Sequence, residues 1–303
     1  MRIQSLTVLL LRTALIVLVG AAAAARADSY YVNGTCGNNA WSGKTPECVA
    51  PDGPKATIQA GINAAVNGDT VWVADGAYTG VGNRDLDFGG KLITVRSENG
   101  PENCIIDCQW AGRGFYFHSG ETAEAVVDGF TIRMGYAVNA SPGLAYGGGI
   151  YNDGSSPTVT NCTFSGNQAN WQGGGMCNRN GSSPTVTNCA FIENEAWACD
   201  GGGMYNRGAS NPMVVNCTFI GNTAHPCPGV GSYAGGMKNL YSSPTVINCT
   251  FSGNSAGYGG AMQNGGNTIM MNCKFAGNSA TYGGAIVHES RSYPKTRTPV
   301  EFV

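Results

Sequence analysis

Two aspartates and an arginine in the first half of the chain are the residues best suited to acid–base chemistry. Asp107 and Asp128 each follow a pair of apolar residues, and Arg133 and His118 lie close to them in the sequence. Hydrolysis of a glycosidic bond uses two carboxyl groups at a set separation, whereas elimination uses a carboxylate cluster that holds Ca²⁺ together with a base. The spacing predicts that the two aspartates lie near one coil of a repeating structure and share a face.

Acidic residues are scarce after residue 141, which directs any search for catalysis to the first half of the chain. Those that occur do not recur at one position of a repeat: Asp153, Glu193, Glu195, Asp200, Glu289 and Glu301. For Asp107, Asp128 and Arg133 the favoured interpretation is ordinary solvated charge on strands. The sequence therefore predicts no cofactor, with Ca²⁺ expected only for a lyase. It predicts no metal site either, because there is no Cys-x-x-Cys pair and there are only three histidines.

Aromatic residues recur at or just before the glycine clusters of the second half. They are Tyr146, Trp171, Trp197, Tyr233, Tyr258 and Tyr282. If stacked repeats align these rings along one edge, the rings offer a surface on which sugars can bind. The alternative is that each ring covers its own Gly-Gly backbone and leaves nothing free for a ligand. The sequence leaves both interpretations open.

Short repeats must position all of these residues. Glycine clusters lead to an apolar residue at Ile150, Met176, Met204, Met237, Met262 and Ile286, and Asn-Cys-x-Phe-x-x-Asn phrases alternate with them. A unit this short cannot bury its own apolar face, so it must stack on its neighbours. The repeat predicts an all-β solenoid: a single-stranded right-handed parallel β-helix of roughly nine coils, with three short strands in each coil.

The unit from Pro157 to Asn178 predicts which side chains point into the core. Val159, Cys162, Phe164 and Met176 alternate with polar residues and are expected to be buried. The repeated cysteines are expected to form an inward column of small apolar residues: Cys162, Cys189, Cys217, Cys249 and Cys273.

Two asparagine columns are predicted to be structural, with stacked amides that bond to each other at sharp corners. The corner column is Asn161, Asn188, Asn216, Asn248 and Asn272, and the second is Asn167, Asn194, Asn222, Asn254 and Asn278. Glycosylation at matching sites such as Asn161 is discounted, because an inward corner amide would be a poor acceptor.

Cysteines outside the repeated column are candidates for disulfides. Cys199 and Cys227 each lie five residues after the second asparagine of adjacent repeats, so they are expected to be neighbours and to pair. Cys36 and Cys48 flank a loop rich in Gly and Asn and form a second candidate pair.

The N-terminal residues predict export and a cap. Residues 1–27 combine a positive start, an apolar run and an Ala-Arg-Ala site, which is typical of a signal peptide. Residues 28–55 form an N-terminal loop region, and residues 56–303 form the β-helix, with regular repeats at about 145–287. Residues 56–66 predict an amphipathic helix, capped by Thr57, that covers the first coil.

Charge excludes some partners of the mature chain. Without residues 1–27 it has 14 basic and 19 acidic residues, a net charge near −5. Nucleic-acid binding is not expected, because that needs clustered Lys and Arg. No transmembrane segment is expected in the mature chain either.

The two repeated phrases resemble the repeats of chlamydial polymorphic outer-membrane proteins. The matching phrases are FSGN at residues 164–167, FIEN at 191–194, FIGN at 219–222, FSGN at 251–254 and FAGN at 275–278, together with the Gly-Gly-[Gly/Ala]-[Ile/Met] clusters. The opening ATIQAGINAAVNGDTVWVADGAYTG is similar to the start of right-handed β-helix proteins of the pectate-lyase-like superfamily. The resemblance implies a fold shared by adhesins, glycan-binding surface proteins, lyases and hydrolases.

Together these observations favour an exported, non-catalytic protein, either secreted or located at the cell surface or outer membrane. It is expected to bind a polysaccharide, a cell-surface glycan or a surface protein through the aromatic edge. A polysaccharide lyase or glycoside hydrolase acting on acidic polysaccharide is the first alternative, and a structural spacer is the second.

Overall fold

The chain winds through four short strands in each coil. The computed structural model describes residues 27–137, 145–197, 200–227, 229 and 231–288. One complete coil contains Thr158–Thr160, Thr163–Ser165, Gln168–Ala169 and Met176–Arg179. The prediction of three strands in each coil was therefore wrong. The additional strand at Gln168–Ala169 is only two residues long, too short to show a periodicity.

Corresponding strands of successive coils pair in parallel and form four sheets, with the strands numbered β1 to β30 along the chain. Sheet 1 contains β1 (Ser29–Val32), β2 (Thr70–Val73), β4 (Thr94–Ser97), β7 (Val126–Asp128), β11 (Thr158–Thr160), β15 (Thr185–Thr187), β19 (Met213–Val215), β23 (Thr245–Ile247) and β27 (Ile269–Met271). Sheet 2 contains β3 (Gly76–Tyr78), β5 (Cys104–Asp107), β8 (Thr131–Arg133), β12 (Thr163–Ser165), β16 (Ala190–Ile192), β20 (Thr218–Ile220), β24 (Thr250–Ser252) and β28 (Lys274–Ala276).

The other two sheets complete each coil. Sheet 3 contains β9 (Tyr136–Ala137), β13 (Gln168–Ala169), β17 (Glu195–Ala196), β21 (Thr223–Ala224), β25 (Ser255–Tyr258) and β29 (Ser279–Tyr282). Sheet 4 contains β6 (Phe115–Phe117), β10 (Ile150–Asp153), β14 (Met176–Arg179), β18 (Met204–Arg207), β22 (Met237–Leu240), β26 (Met262–Asn264) and β30 (Ile286–His288). The described strands make about seven complete turns, fewer than the roughly nine expected, because the first coils lack strands in sheets 3 and 4.

Columns of identical side chains fill the interior. Val159, Phe164 and Met176 are fully buried, and each pairs in register with the same residue type in the next coil. The phenylalanine rings from Phe164 to Phe275 stack with centroids 4.7, 4.7, 4.7 and 5.2 Å apart. Because adjacent strands lie about 4.8 Å apart, this ring spacing follows directly from the coil repeat.

The corner asparagines form a ladder on the outside of the coil. They have φ values of 51° to 54° and are exposed: Asn161, Asn188, Asn216, Asn248 and Asn272. Asn188 Nδ2 donates to Asn161 Oδ1 at 3.2 Å, and the same contact recurs along the column. The expectation of an inward corner amide was wrong, since the side chain points outward from the turn. The reason for discounting glycosylation at Asn161 therefore does not hold.

The second asparagine column is buried, except that Asn278 in the last coil is partly exposed. Asn194 Nδ2 donates to Asn222 Oδ1 at 2.9 Å and to the carbonyl of Phe164 at 3.0 Å. A third buried ladder was missed from the sequence: Asn152, Asn178, Asn206, Asn239 and Asn264, with Nδ2 to Oδ1 distances of 2.7 Å. The sequence pattern that predicts it is an asparagine two residues after the apolar residue that follows a glycine cluster, present in five of the six clusters and replaced by His288 after Ile286.

The repeated cysteines are unpaired thiols that face the interior. Cys162, Cys189, Cys217 and Cys249 are buried, and Cys273 in the last coil is partly exposed. Each Sγ donates to the carbonyl two residues earlier, as Cys189 does to Thr187 at 3.2 Å. Outside this column, the predicted Cys36–Cys48 disulfide is confirmed. Cys227 is also disulfide-bonded, but Cys199 lies outside the described residues, so its pairing with Cys227 stays a prediction.

A short helix caps the N-terminal end. Helix α1 (Ile58–Ala64) begins after Thr57, whose Oγ1 accepts the N–H of Ala60 at 3.3 Å. Ile58 and Ile62 are buried in the core, but Val66, which the predicted helix of residues 56–66 included, lies beyond the helix and is 62% exposed. The region of residues 28–55 is more than a loop, because β1 pairs with β2 and extends sheet 1. Nearly all of the predicted signal peptide lies outside the described residues.

Candidate functional site

The candidate catalytic residues belong to two separate ion pairs. Asp107 lies on β5 beside Arg133 on β8, and Oδ2 accepts from Nε at 3.0 Å and from a terminal guanidinium nitrogen at 2.9 Å. Asp128 lies on β7 beside Arg96 on β4, with a 3.1 Å contact. The first pair belongs to sheet 2 and the second to sheet 1. The expectation that both aspartates share a face was therefore wrong, because a corner of the coil separates the two sheets.

Each carboxylate of these pairs is neutralised locally. Arg133 forms an ion pair with Asp107. Asp128 also accepts a hydrogen bond from the side-chain amide of Asn161 at 2.8 Å, so Asp128 takes the first position of the exposed asparagine ladder. His118 contacts Asp87 at 3.2 Å and not Asp107 or Asp128. Within the part of the chain that the structure describes, no group of three or more His, Cys, Asp or Glu side chains is arranged to hold a metal ion. The arrangement does not assemble a carboxylate pair around one substrate bond.

The six aromatic residues do not form one continuous stripe. The backbone register aligns Tyr146, Gln172, Asp200, Tyr233, Tyr258 and Tyr282 in one column. Tyr233, Tyr258 and Tyr282 stack with centroids 5.1 and 4.9 Å apart, whereas Tyr146 is almost fully buried. Ring stacking between coils therefore accounts for Tyr233, Tyr258 and Tyr282, and of the four tyrosines only Tyr282 in the last coil is largely exposed.

The two tryptophans differ from Tyr146, Tyr233 and Tyr258 because they remain accessible to solvent. Trp171 is 47% exposed and Trp197 is 49% exposed. Both lie between a strand of sheet 3 and the next glycine cluster, in successive coils. Trp171 packs edge to face against Tyr146 with ring centroids 6.1 Å apart. The guanidinium of Arg179 lies over the Tyr146 ring, 4.1 Å from its centroid.

A group of polar residues surrounds Trp197 on the outward face of sheet 3. The indole stacks on His225 of the next coil with centroids 4.2 Å apart and planes within 13°. His225 Nε2 lies 3.3 Å from Glu195 Oε2, and the amide of Gln168 donates to the same oxygen at 3.3 Å. We call Gln168, Glu195, Trp197 and His225 the Trp197 platform.

The sequence predicted Trp197 but missed the other three members of the platform. Two of them could have been found from the Asn-x-Ala phrase that begins at each asparagine of the second column, as in Asn167-Gln168-Ala169 and Asn194-Glu195-Ala196. The alanine is buried and x points outward, so x forms a column on sheet 3. His225 is harder to find, because only strand register places it beside Trp197.

A buried ion pair lies under the same edge. Lys238 Nζ lies 2.6 Å from Asp200 Oδ1, and Gln172 donates to the other carboxylate oxygen at 2.8 Å. Both charged side chains are at most 10% exposed, so Asp200 is not available to a ligand. Burial also raises the pKa of the nearby Tyr205, which keeps its hydroxyl protonated. This cluster is part of the packing beneath the edge.

The four parallel sheets and the stacked ladders define a parallel β-helix, and the family comparison assigns the chain to one group of such proteins. The right-handed β-helix region family matches residues 58–243 and 144–297, so the chain belongs to this family. The fold is a right-handed parallel β-helix, as the sequence predicted. No significant match is found among curated protein sequences.

Two solved structures are similar to this chain at low sequence identity. Pectate lyase Pel9A is 12% identical, with a TM-score of 0.45, over 88% of this chain and 79% of that chain. A rhamnogalacturonan lyase is 12% identical, with a TM-score of 0.36, over 84% of this chain and 74% of that one. Likeness at this level supports no statement about activity or ligand. Among the described residues, no helix is long and apolar enough to cross a membrane.

Proposed function

We propose that the protein is an exported, non-catalytic β-helix that binds saccharides at the edge carrying Trp171 and Trp197. The observation that carries this proposal is the exposure of these two indoles, at 47% and 49%, in a fold that buries or stacks most of its other aromatic rings. Large exposed aromatic surfaces are costly in water and mark interaction sites. A solenoid presents such surfaces along an extended edge, which suits an extended ligand.

The chemistry around the tryptophans supports the same proposal. Gln168, Glu195 and His225 offer hydrogen-bond donors and acceptors beside an apolar ring, which is the combination that a sugar needs. The proposed partner is a polysaccharide or a cell-surface glycan. The proposed location is outside the cell or at its surface, which rests on the signal peptide predicted at residues 1–27.

A glycan array probed with the mature protein tests the proposal. We expect binding to a restricted set of glycans, and we expect it to fall at least about tenfold in a variant with Trp171→Ala and Trp197→Ala. Trp110→Ala is the matched control, because Trp110 is also exposed but lies between β5 and β6. Equal binding by the wild type and the double variant would contradict the proposal.

A separate measurement addresses the non-catalytic part of the proposal. The protein is incubated with polygalacturonate, alginate and neutral polysaccharides, and unsaturated products and reducing ends are followed. We expect neither to appear. If activity appears and is lost in Asp107→Asn or Arg133→Ala, the alternative of a lyase or hydrolase is correct.

A further inference from the structure

The Trp197 platform has the layout of a defined binding site on sheet 3. Its members come from three successive coils: Gln168 from β13, Glu195 from β17 with Trp197 directly after it, and His225 directly after β21. Strand register places Gln168 beside Glu195 and Trp197 beside His225. Two columns of outward side chains therefore meet, one polar and one aromatic.

About half of Trp197 is accessible to solvent, and one face of its indole is covered. His225 covers the face toward the next coil at 4.2 Å. On the opposite side of the ring, Asn170 occupies the position of Trp197 in the preceding coil. Its amide is directed away from Trp197, because Oδ1 accepts a hydrogen bond from the hydroxyl of Tyr136 at 2.9 Å. With one face covered and 49% of the residue exposed, the accessible area belongs to the ring edge and to the face toward Asn170.

Backbone strain is present next to the platform. Glu193 has φ of 52°, in the left-handed region, at a turn where four other coils have glycine: Gly166, Gly221, Gly253 and Gly277. A side chain in this conformation costs about 1–2 kcal/mol relative to glycine. The chain thus carries an exposed carboxylate, two residues from Glu195, at a position where glycine would be more stable.

The outward surface of sheet 3 around the Trp197 platform is negatively charged. None of the six strands of sheet 3 contains Lys or Arg, and the acids at the platform are Glu193 and Glu195. Of the cations on the neighbouring sheets, Arg133 pairs with Asp107 and Lys238 pairs with Asp200. A uronate or sulfated sugar placed on Trp197 would bring its anion next to these carboxylates, and like charges repel.

We propose that the Trp197 platform binds a pyranose without an anionic group. The sugar packs on the open face of the Trp197 indole, and its hydroxyl or amino hydrogens donate to Glu195, whose other partners are Gln168 and His225. Amino sugars bind most tightly, because a protonated amine forms a charge-assisted hydrogen bond with the carboxylate. This inference rests on the proposed function and specifies its ligand class.

Binding of the mature protein to four oligosaccharides tests the proposal: chitosan, N-acetylated chitin, cellulose and polygalacturonate fragments of equal length. We expect binding to the first three, strongest to the free amine, and none to the uronate. Glu195→Gln keeps the shape of the side chain and removes its charge. It is expected to weaken amine binding about tenfold and to change neutral-sugar binding much less.

Variants of the aromatic residue complete the test. Trp197→Ala is expected to remove binding of all three sugars, and Trp197→Phe to leave part of it. Trp110→Ala is expected to leave binding unchanged. The phenylalanine variant and Glu195→Gln keep the test valid if the alanine variant does not fold, which circular dichroism would show.

The outcomes separate this inference from the function beneath it. Absence of binding to any glycan on a broad array overturns both. Preferred binding of polygalacturonate that still depends on Trp197 overturns the ligand class and leaves saccharide binding standing. Binding that requires Trp171 but is unchanged by Trp197→Ala and Glu195→Gln overturns the platform as the site.

Discussion

At the scale of single residues, Glu121 shows how one buried carboxylate holds a turn of the solenoid. The carboxylate is 1% exposed and accepts the N–H of Gly90 at 2.8 Å, the N–H of Ser119 at 2.9 Å and the hydroxyl of Ser155 at 2.7 Å. Burial alone would raise the pKa of Glu121, but these hydrogen bonds outweigh burial and lower it.

Stability is expected to depend on Glu121 in a pH-dependent way. Because its folded-state pKa lies below the unfolded value of about 4.3, the carboxylate contributes stability above that pH and loses the contribution as the pH falls through the folded pKa. Glu121→Gln should lower the free energy of unfolding at pH 7 by about 2 kcal/mol, and by less at pH 3. Urea denaturation at both values measures this. Glu124→Gln, on an exposed side chain, is the control, and an equal loss at both pH values would contradict the expectation.

Glu193 gives a second prediction at the residue scale. Glu193→Gly relieves the left-handed strain and should raise the free energy of unfolding by about 1 kcal/mol. Gly253→Ala, at the same position of another coil, should lower it by a similar amount, because the added Cβ meets its nearest atom at an ordinary 3.9 Å and only the positive φ opposes it. Thermal and urea unfolding of the two variants test this expectation. If Glu193→Gly is neutral or destabilising, the side chain makes compensating contacts in the folded protein.

At the scale of structural elements, the asparagine ladders differ in what they contribute. In the buried ladder, Asn206 accepts from Asn178 and donates to Asn239, both at 2.7 Å. In the exposed ladder, Asn216 donates to Asn188 at 3.2 Å. An amide can both accept and donate, which lets each rung bond to the one above and the one below. The buried ladder has no water to replace a lost bond, whereas the exposed ladder does.

The same substitution in the two ladders should therefore have different costs. Asn206→Asp removes the donor to Asn239 and buries a carboxyl group, which should destabilise the protein by about 3 kcal/mol. Asn216→Asp is solvated and tolerates the positive φ, so its cost should stay below about 1 kcal/mol. Chemical denaturation of both variants makes the comparison. Equal costs would mean that burial does not decide the role of the ladder.

At the scale of the whole molecule, stability is distributed along one axis. Each coil contacts only its neighbours, so a terminal coil is held on one side. Phe219 in a central coil is fully buried, whereas Phe275 and Ile286 in the last described coil are only partly buried. At the other end, α1 covers the core through Ile58 and Ile62.

Hydrogen exchange should follow this gradient. Peptides from residues 204–224 should exchange slowest, and peptides from residues 262–288 should exchange first, because local opening begins at the less buried end. Exchange followed by mass spectrometry measures the order. Uniform protection along the chain would indicate that the solenoid opens in a single step.

The sequence alone determined the β-helix, because the repeated glycine clusters and Asn-Cys-x-Phe-x-x-Asn phrases are local patterns that only stacking can bury. It also determined the Cys36–Cys48 pair and the capped helix after Thr57. Tertiary structure decided which outward residues meet. Loops of unequal length shift the register, so Trp171 lies beside the Tyr146 column while Trp197 lies beside Asn170 and His225. Asp107 and Asp128 lie on different sheets, with different arginines, because a corner of the coil separates them.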